Sequence, residues 1–305
     1  MKQEQHRVSS RKLVFYSAIV ASLLTISVIF GISGYVGWKL THPGREKVSD
    51  TPATVGLSYE DVSFKSREDG IDLKGWLIHP AANKGTIVFV HGYARNRLQA
   101  DVPLLPLAKK LVDEGYAALI FDLRNSGESG GSLTSIGEYE VRDVLGAVDF
   151  VRSRSELSKK VVLFGFSMGG ATSIIACARE PYVAGAIADA PFADLKSYLD
   201  KNLSIWTKLP SIPFNEACFI VVPLLTGINI KAVSPMEEVK HFKDRPLLLI
   251  HGDADTVVPL ENSKSIQEAY PAAQLVQIHG AGHVKSYKTD ENLYVQSVLD
   301  FLGKL

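Results

Sequence analysis

From Leu13 to Trp38 the chain runs 26 residues without a charged side chain, LVFYSAIVASLLTISVIFGISGYVGW. At about 1.5 Å of rise per residue, such a helix outruns a hydrocarbon core of roughly 30 Å. Tyr16, Tyr35 and Trp38 stand near its ends, where amphipathic rings suit a lipid–water interface. The pattern predicts a membrane-spanning signal anchor over 13–38 behind a cytoplasmic tail, 1–12. Lys2, Arg7, Arg11 and Lys12 precede the stretch, and Lys39, Arg45 and Lys47 follow it. Four basic residues against three place the N-terminus inside and the bulk of the chain on the non-cytoplasmic side. Gly31-Ile32-Ser33 offers small residues for a competing reading, a cleaved signal peptide, but the apolar stretch exceeds the usual signal core. Residues 39–57, polar and carrying Pro43, Gly44, Pro52 and Gly56, read as a tether.

From residue 58 to 305 the pattern changes to short apolar runs alternating with amphipathic ones. YEDVSFKS (59–66) and IDLKGWLIHP (71–80) flank the turn Glu68-Asp69-Gly70 and predict a β-hairpin. Runs at 85–92, 116–122, 160–165, 183–191, 245–252 and 273–280 are apolar enough for strands covered on both faces. Segments at 102–115, 137–154, 169–180, 263–270 and 292–305 have helical spacing. Repeated β-then-α units with apolar strands predict a doubly wound, mostly parallel α/β sheet, opened here by an antiparallel hairpin. Only the stretch 193–239 breaks the alternation. Its centre, IWTKLPSIPFNEACFIVVPLLTGINI (205–230), is apolar and broken by proline, which predicts a cap over the C-terminal edge of the sheet. That edge is where open α/β sheets bind ligands. The cap is read as an acyl pocket or lid, against the plainer reading of apolar residues that only pack onto the body.

Charge and composition narrow the chemistry. Lys plus Arg equals Asp plus Glu at 33 each, so no basic surplus points to nucleic acid. Cys177 and Cys218 are the only cysteines, too few for a disulfide scaffold. No metal-ligand spacing occurs and no cofactor is expected.

One short stretch carries the chemistry. In LFGFSMGG (163–170) Ser167 follows a predicted strand and precedes a predicted helix, the setting of a nucleophile elbow. Gly165 and Gly169 leave room where a Cβ would clash, and the helix N-terminus favours developing negative charge. A serine hydroxyl needs a base. IHGAGH (278–283) ends the last strand with His279 and His283. His283, in the loop beyond the strand, is taken as the base and His279 as structural. HGDADTVVP (251–259) offers Asp253 and Asp255; Asp255 is taken as the carboxylate that orients the imidazole, Asp253 as a brace of the turn, and Asp189 as a third candidate. The order Ser167, Asp255, His283 is that of a strand–elbow–helix hydrolase. The oxyanion of an acyl intermediate is assigned to the backbone amides of Met168 and Tyr93. His91 reads as a structural turn residue, and Arg95 and Arg97 as a solvated turn rather than an anion site.

The hairpin, HGY, DLRNSGES, GFSMGG, HGDADTVVP and GAGH, in that order, resemble the α/β-hydrolase superfamily over residues 57–305. Within it the sequence is similar to the membrane-anchored branch near monoglyceride lipases and serine aminopeptidases. The resemblance implies esterase, lipase, thioesterase or peptidase activity on a small ester, acyl or peptide substrate. It also implies that Asp122, Arg124 and Gly127 form a structural loop. A membrane-anchored ester hydrolase is therefore expected. A peptidase of the same mechanism, with Glu216 as the anchor for a substrate amine, and a non-catalytic anchored scaffold stand as alternatives.

Overall fold

The computed structural model of the chain describes the backbone of residues 2–305 and the side chains of 12–305. The expected cytoplasmic tail, Lys12 apart, lies outside the residues whose side chains are described. The chain opens with α1 (Lys2–Thr41), a helix of 40 residues. After a 3-10 turn, Pro52–Val55, come the hairpin strands β1 (Glu60–Lys65) and β2 (Asp72–Ile78). β3 (Gly85–Val90), α2 (Leu104–Asp113), β4 (Tyr116–Phe121), α3 (Glu140–Ser153), β5 (Val161–Phe166), α4 (Met168–Arg179) and β6 (Val183–Asp189) then alternate. α5 (Leu195–Thr207), α6 (Ser211–Thr226) and the one-turn α7 (Pro235–Glu238) interrupt the rhythm. It resumes with β7 (Leu247–Gly252), α8 (Glu261–Ala269), β8 (Gln274–Ile278), the one-turn α9 (Ser286–Thr289) and α10 (Glu291–Leu302).

The strands form one sheet in the order β1-β2-β4-β3-β5-β6-β7-β8. β1 and β2 run antiparallel, β2 joins β4 antiparallel, and every later pairing is parallel. This is the doubly wound α/β sheet that the apolar runs predict. The burial of each strand follows its place. Along β1 only Val62 and Phe64 turn inward, as on an edge strand with one wet face, whereas every residue of β3, β4, β5 and β7 is buried. Ile87, Phe89, Phe164 and Phe166 share one core with Leu107 and Leu111 of α2 and Tyr294 and Val298 of α10. Alternate residues point to the other face of the sheet, where α3 and α4 pack.

The chain divides into two compact units, residues 1–40 with 199–228 and residues 41–198 with 229–305. In the first, α6 packs on α1: the Ser33 hydroxyl donates to the Phe214 carbonyl (3.1 Å) and the Cys218 thiol to the Ser33 carbonyl (3.2 Å). The second holds the sheet. The insert expected over 193–239 is narrower, because its ends stay with the sheet unit. The Leu195 amide donates to the Val233 carbonyl and the Met236 amide to the Ala193 carbonyl, while Val233 and Val239 are fully buried.

The segment expected to be a loose tether, 39–57, is different in kind. Its first residues complete α1, and the remainder is bonded to the sheet unit. Thr41 accepts from the Thr134 amide, Arg45 donates to the Ser129 carbonyl, and Asn96 donates to the carbonyls of Glu46 and Lys47. Pro52 and Leu57 are buried. Polar composition here does not mean freedom, because the backbone of this stretch finds its partners on the domain.

Arg97 is also unlike its expectation. It is almost fully buried, not solvated: its guanidinium pairs with the equally buried Asp122 (2.7 Å) and lies 4.6 Å over the Trp76 ring. Asp122 also accepts from the Arg97 amide at 2.7 Å and the Glu128 amide at 2.9 Å, so the DLRNSGES loop is a structural clasp. Removing one member of such a pair strands a buried charge. Arg97→Ala is expected to cost about 3–5 kcal/mol of unfolding free energy, measurable by urea denaturation of the full chain in detergent.

Candidate active site

β5 ends at Phe166 and α4 starts at Met168, so the chain reverses direction within one residue. That residue, Ser167, sits at φ 53°, ψ −118°, a conformation that side-chain-bearing residues rarely adopt. Its amide donates to the Asp189 carbonyl at the end of β6 (2.8 Å), and its carbonyl accepts from Ala171 (3.0 Å), fixing the turn from both sides. The elbow is also pressed from within. A Cβ on Gly165 would lie 2.1 Å from the Gly169 carbonyl oxygen, and one on Gly169 would lie 2.1 Å from that of Val90 in β3. Neither position admits another residue. The two glycines allow α4 to start directly against the sheet, which leaves the serine side chain at its C-terminal edge.

The loops after the next strands of the sheet bring the partners. His283, after β8, places Nε2 at 2.9 Å from Ser167 Oγ, and its Nδ1 lies 2.7 Å from Asp255 Oδ2. Asp255 follows β7. The two loops approach through Gly252, where a Cβ would stand 2.1 Å from the Ala281 carbonyl oxygen. Asp255 Oδ1 accepts from the amides of Val257 (2.8 Å) and Val258 (2.9 Å). Burial alone would raise this carboxyl, but His251, His283 and the Val258 amide outweigh it and hold it well below the usual carboxylate range. Asp255 is thus an anion with both oxygens engaged. With Nδ1–H donating to it, the imidazole of His283 presents Nε2 as an acceptor to the serine hydroxyl.

The remaining candidates separate clearly. His279 is exposed and pairs with Asp253 (2.8 Å), which also accepts from the Gly280 amide, so this pair braces the turn. His91 is buried. Its Nδ1–H donates to the Gly92 carbonyl (2.8 Å) and its Nε2 accepts the Leu123 amide (3.0 Å), a structural role. Burial holds its pKa below the ordinary value. The loop after β3 lies beside the elbow: a methyl at Gly92 would stand 3.6 Å from Ser167 Cβ. The Gly92 amide donates to Gln99 Oε1 (2.6 Å), which fixes the loop just ahead of Tyr93. Met168 is the first residue of α4, where backbone amides have no acceptor within the helix.

Three supporting residues escaped the sequence reading. His251, at the end of β7, lies 3.4 Å from Asp255 Oδ2 and bonds the Val258 carbonyl and the Ser263 hydroxyl. Gln99 anchors Gly92. Tyr294 of α10 donates its hydroxyl to Asp189 (3.0 Å). Only His251 left a trace, as a lone polar residue closing a run of buried aliphatics.

Residues 107–305 match the sequence profile of the prolyl oligopeptidase family. The uncharacterized protein YqkD of Bacillus subtilis (strain 168) is 26% identical over 302 residues, 96% of this chain and 97% of that one. The lysophosphatidylserine lipase ABHD12 of Macaca fascicularis is 29% identical over 241 residues, covering 73% of this chain and 57% of the relative. Among solved structures, the Pyrococcus furiosus esterase Pf2001 superposes with a TM-score of 0.73 at 27% identity, over 87% of this chain and 98% of the esterase.

Asp189 offers a test of the electrostatics behind the serine. Burial lifts its carboxyl to about 6, while the Tyr294 hydroxyl lowers it less strongly. The folded protein keeps this proton where the unfolded chain releases it. The stabilisation that Asp189 provides is therefore complete below about pH 4 and lost as pH rises through about 6. Asp189→Asn still accepts from Tyr294 and does not ionise. Relative to the wild type, the variant is expected to gain on the order of 2 kcal/mol between pH 4 and 7, measured by urea unfolding at both pH values.

Proposed function

The chain belongs to the prolyl oligopeptidase family of α/β-hydrolases, and within it we propose a membrane-anchored serine hydrolase of carboxylic esters. The observation that carries this reading is the continuous relay Ser167 Oγ, His283 Nε2, His283 Nδ1, Asp255 Oδ2, with contacts of 2.9 and 2.7 Å. The roles follow from the chemistry. His283 takes the hydroxyl proton as Ser167 attacks the ester carbonyl, and the ionised Asp255 stabilises the imidazolium that results. The tetrahedral oxyanion falls to the amides of Met168 and Tyr93, the first from the start of α4 and the second from the loop held by Gln99. His283 then returns the proton to the leaving alkoxide, releasing the alcohol and leaving an acyl group on Ser167. A water deprotonated by the same imidazole hydrolyses the acyl-enzyme and restores the serine.

Ester chemistry is favoured by the likeness to the Pf2001 esterase, which extends over nearly all of that enzyme. The name of the lipase relative, a lysophosphatidylserine lipase, favours an acyl-lipid substrate. The anchor reading rests on α1, whose segment Lys12–Thr41 is long and apolar enough to cross a bilayer and keeps Leu13, Leu23 and Leu24 exposed. The basic residues on either side favour a catalytic domain on the non-cytoplasmic side. The family name favours the peptidase alternative, but its proposed amine anchor, Glu216, is an exposed residue of α6 rather than a buried carboxylate.

Full-length protein in detergent is expected to react with a fluorophosphonate probe, and Ser167→Ala to lose the label entirely. An unlabelled wild type would refute the mechanism and favour the scaffold. Asp255→Asn is expected to lower kcat on p-nitrophenyl esters by about 10⁴-fold with KM little changed, from steady-state kinetics. p-Nitrophenyl esters are expected to turn over faster than aminoacyl-nitroanilides; the reverse order would assign the site to peptides.

A further inference from the structure

The insert departs from what a water-exposed surface normally shows. α6 reads SIPFNEACFIVVPLLT and carries one charged residue, Glu216. One side of it is used against α1. Besides the bonds between Ser33 and residues 214 and 218, Val221 and Val222 lie on Gly34 and Gly37, where the absence of side chains lets the helices close up. Much of the remainder is left open by the described residues. Ile212, Ile220, Leu224 and Leu225 stand exposed, as do Ile205 and Trp206 of α5, with Leu224 at 78% and Ile212 at 74%. Large apolar side chains left exposed in this number mark a binding surface.

The position of α6 along α1 identifies the partner. About 20 helical residues cross a hydrocarbon core of roughly 30 Å, so about six of the 26 uncharged residues are surplus. Counted from the N-terminal end of the stretch, the surplus is 33–38, the segment on which α6 packs. Tyr35 and Trp38 are exposed at this level, and Trp206 of the insert is exposed as well, the residue types of an interfacial aromatic belt. Lys201 and Lys208 are exposed on the same unit, suited to lipid phosphates. Glu216 is exposed as well, and a carboxylate there is tolerated at headgroup depth but not in hydrocarbon. The α5–α6 pair is bent by 120°, which suits a segment lying in the interface better than a second span.

We propose that the 199–228 insert seats this apolar side in the headgroup–acyl boundary of the bilayer, as a monotopic contact beside the anchor. The proposal rests on the reading of α1 as a membrane anchor. The insert thereby binds lipid itself, whether or not a substrate is present.

The test uses full-length protein in phosphatidylcholine–phosphatidylglycerol nanodiscs loaded with one copy each. Bimane is placed on cysteines introduced one at a time: Ile212→Cys and Leu224→Cys on the insert, Leu23→Cys in the anchor, and Glu268→Cys on α8. Protein without an introduced cysteine is the blank, since Cys177 and Cys218 are buried. Lipids carry a nitroxide either near the headgroup or deep in the acyl chain. Labels at 212 and 224 are expected to be quenched at least about twofold more by the shallow nitroxide than by the deep one, the label at 23 mainly by the deep one, and that at 268 by neither. If 23 is quenched while 212 and 224 behave like 268, the insert proposal falls and the anchor reading stands. If 23 is not quenched, both fall. Stronger deep than shallow quenching at 212 and 224 makes the insert a membrane span and overturns the interfacial seat. An apolar shift at these positions only with two copies per disc assigns the face to self-association and overturns it too.

Discussion

The close approach of backbone to backbone at the end of β5 is the constraint on which the site depends. Between Phe166 and Met168 the chain passes from strand to helix through one residue in a strained conformation, and it does so where α4 lies against the carbonyl of Val90. A side chain at 165 or 169 would lift the helix off the sheet and relax the turn. Ser167 would then no longer project from the sheet edge, and the loops of β7 and β8 would have nothing to converge on. Strain of roughly 1–3 kcal/mol in one residue is stable only when its surroundings over-determine it. Here they do: the Ser167 amide is held by the neighbouring strand, its carbonyl by the helix, and the whole turn rests on a fully buried parallel sheet.

Around that turn two buried carboxyls are driven in opposite directions. Asp255 and Asp189 end or follow adjacent strands, β7 and β6. Asp255 accepts two backbone amides and the His283 ring, so its charge is well solvated by the protein. Asp189 has one hydroxyl donor, and its second oxygen has no partner among the described residues. Burial therefore wins at Asp189 and loses at Asp255. The difference concentrates negative charge on the one carboxyl that contacts the imidazole. Asp189, a candidate by sequence, does not orient His283: one of its oxygens accepts from Tyr294, and both ring nitrogens of His283 are engaged by Asp255 and Ser167.

The strands of the sheet and the candidate set Ser167, Asp255 and His283 were legible because each rests on a local pattern. Fully buried strands are continuous apolar runs, and an elbow needs small residues at fixed offsets from the serine. The choice of His283 over His279 was legible from position alone, one beyond the strand and the other at its end. What could not be read depends on contacts distant in sequence. Arg97 in a polar turn looks like any surface arginine until Asp122 and Trp76 enclose it. The 39–57 stretch has the composition of a linker, yet its carbonyls are paired with Asn96 and its Arg45 reaches a loop more than eighty residues away. Gln99 and Tyr294 carry no local signature, because a single hydrogen bond to a remote partner leaves none.

The insert shows the same limit from the other side. Its apolar character was plain in the sequence, and the natural inference was a lid or acyl pocket on the sheet. An apolar residue reports only that it avoids water, not which apolar surroundings it enters. In the structure the 199–228 segment groups with α1, and its hydrophobic residues divide between the side packed on that helix and an open side. On the packed side small residues meet branched ones, Gly34 and Gly37 against Val221 and Val222, the arrangement by which helices associate when lipid rather than water surrounds them. On the open side a lone carboxylate interrupts the aliphatics. A soluble lid would be expected to bury its large aliphatics; this segment leaves Ile212, Ile220, Leu224 and Leu225 exposed, as the proposed seat on lipid requires.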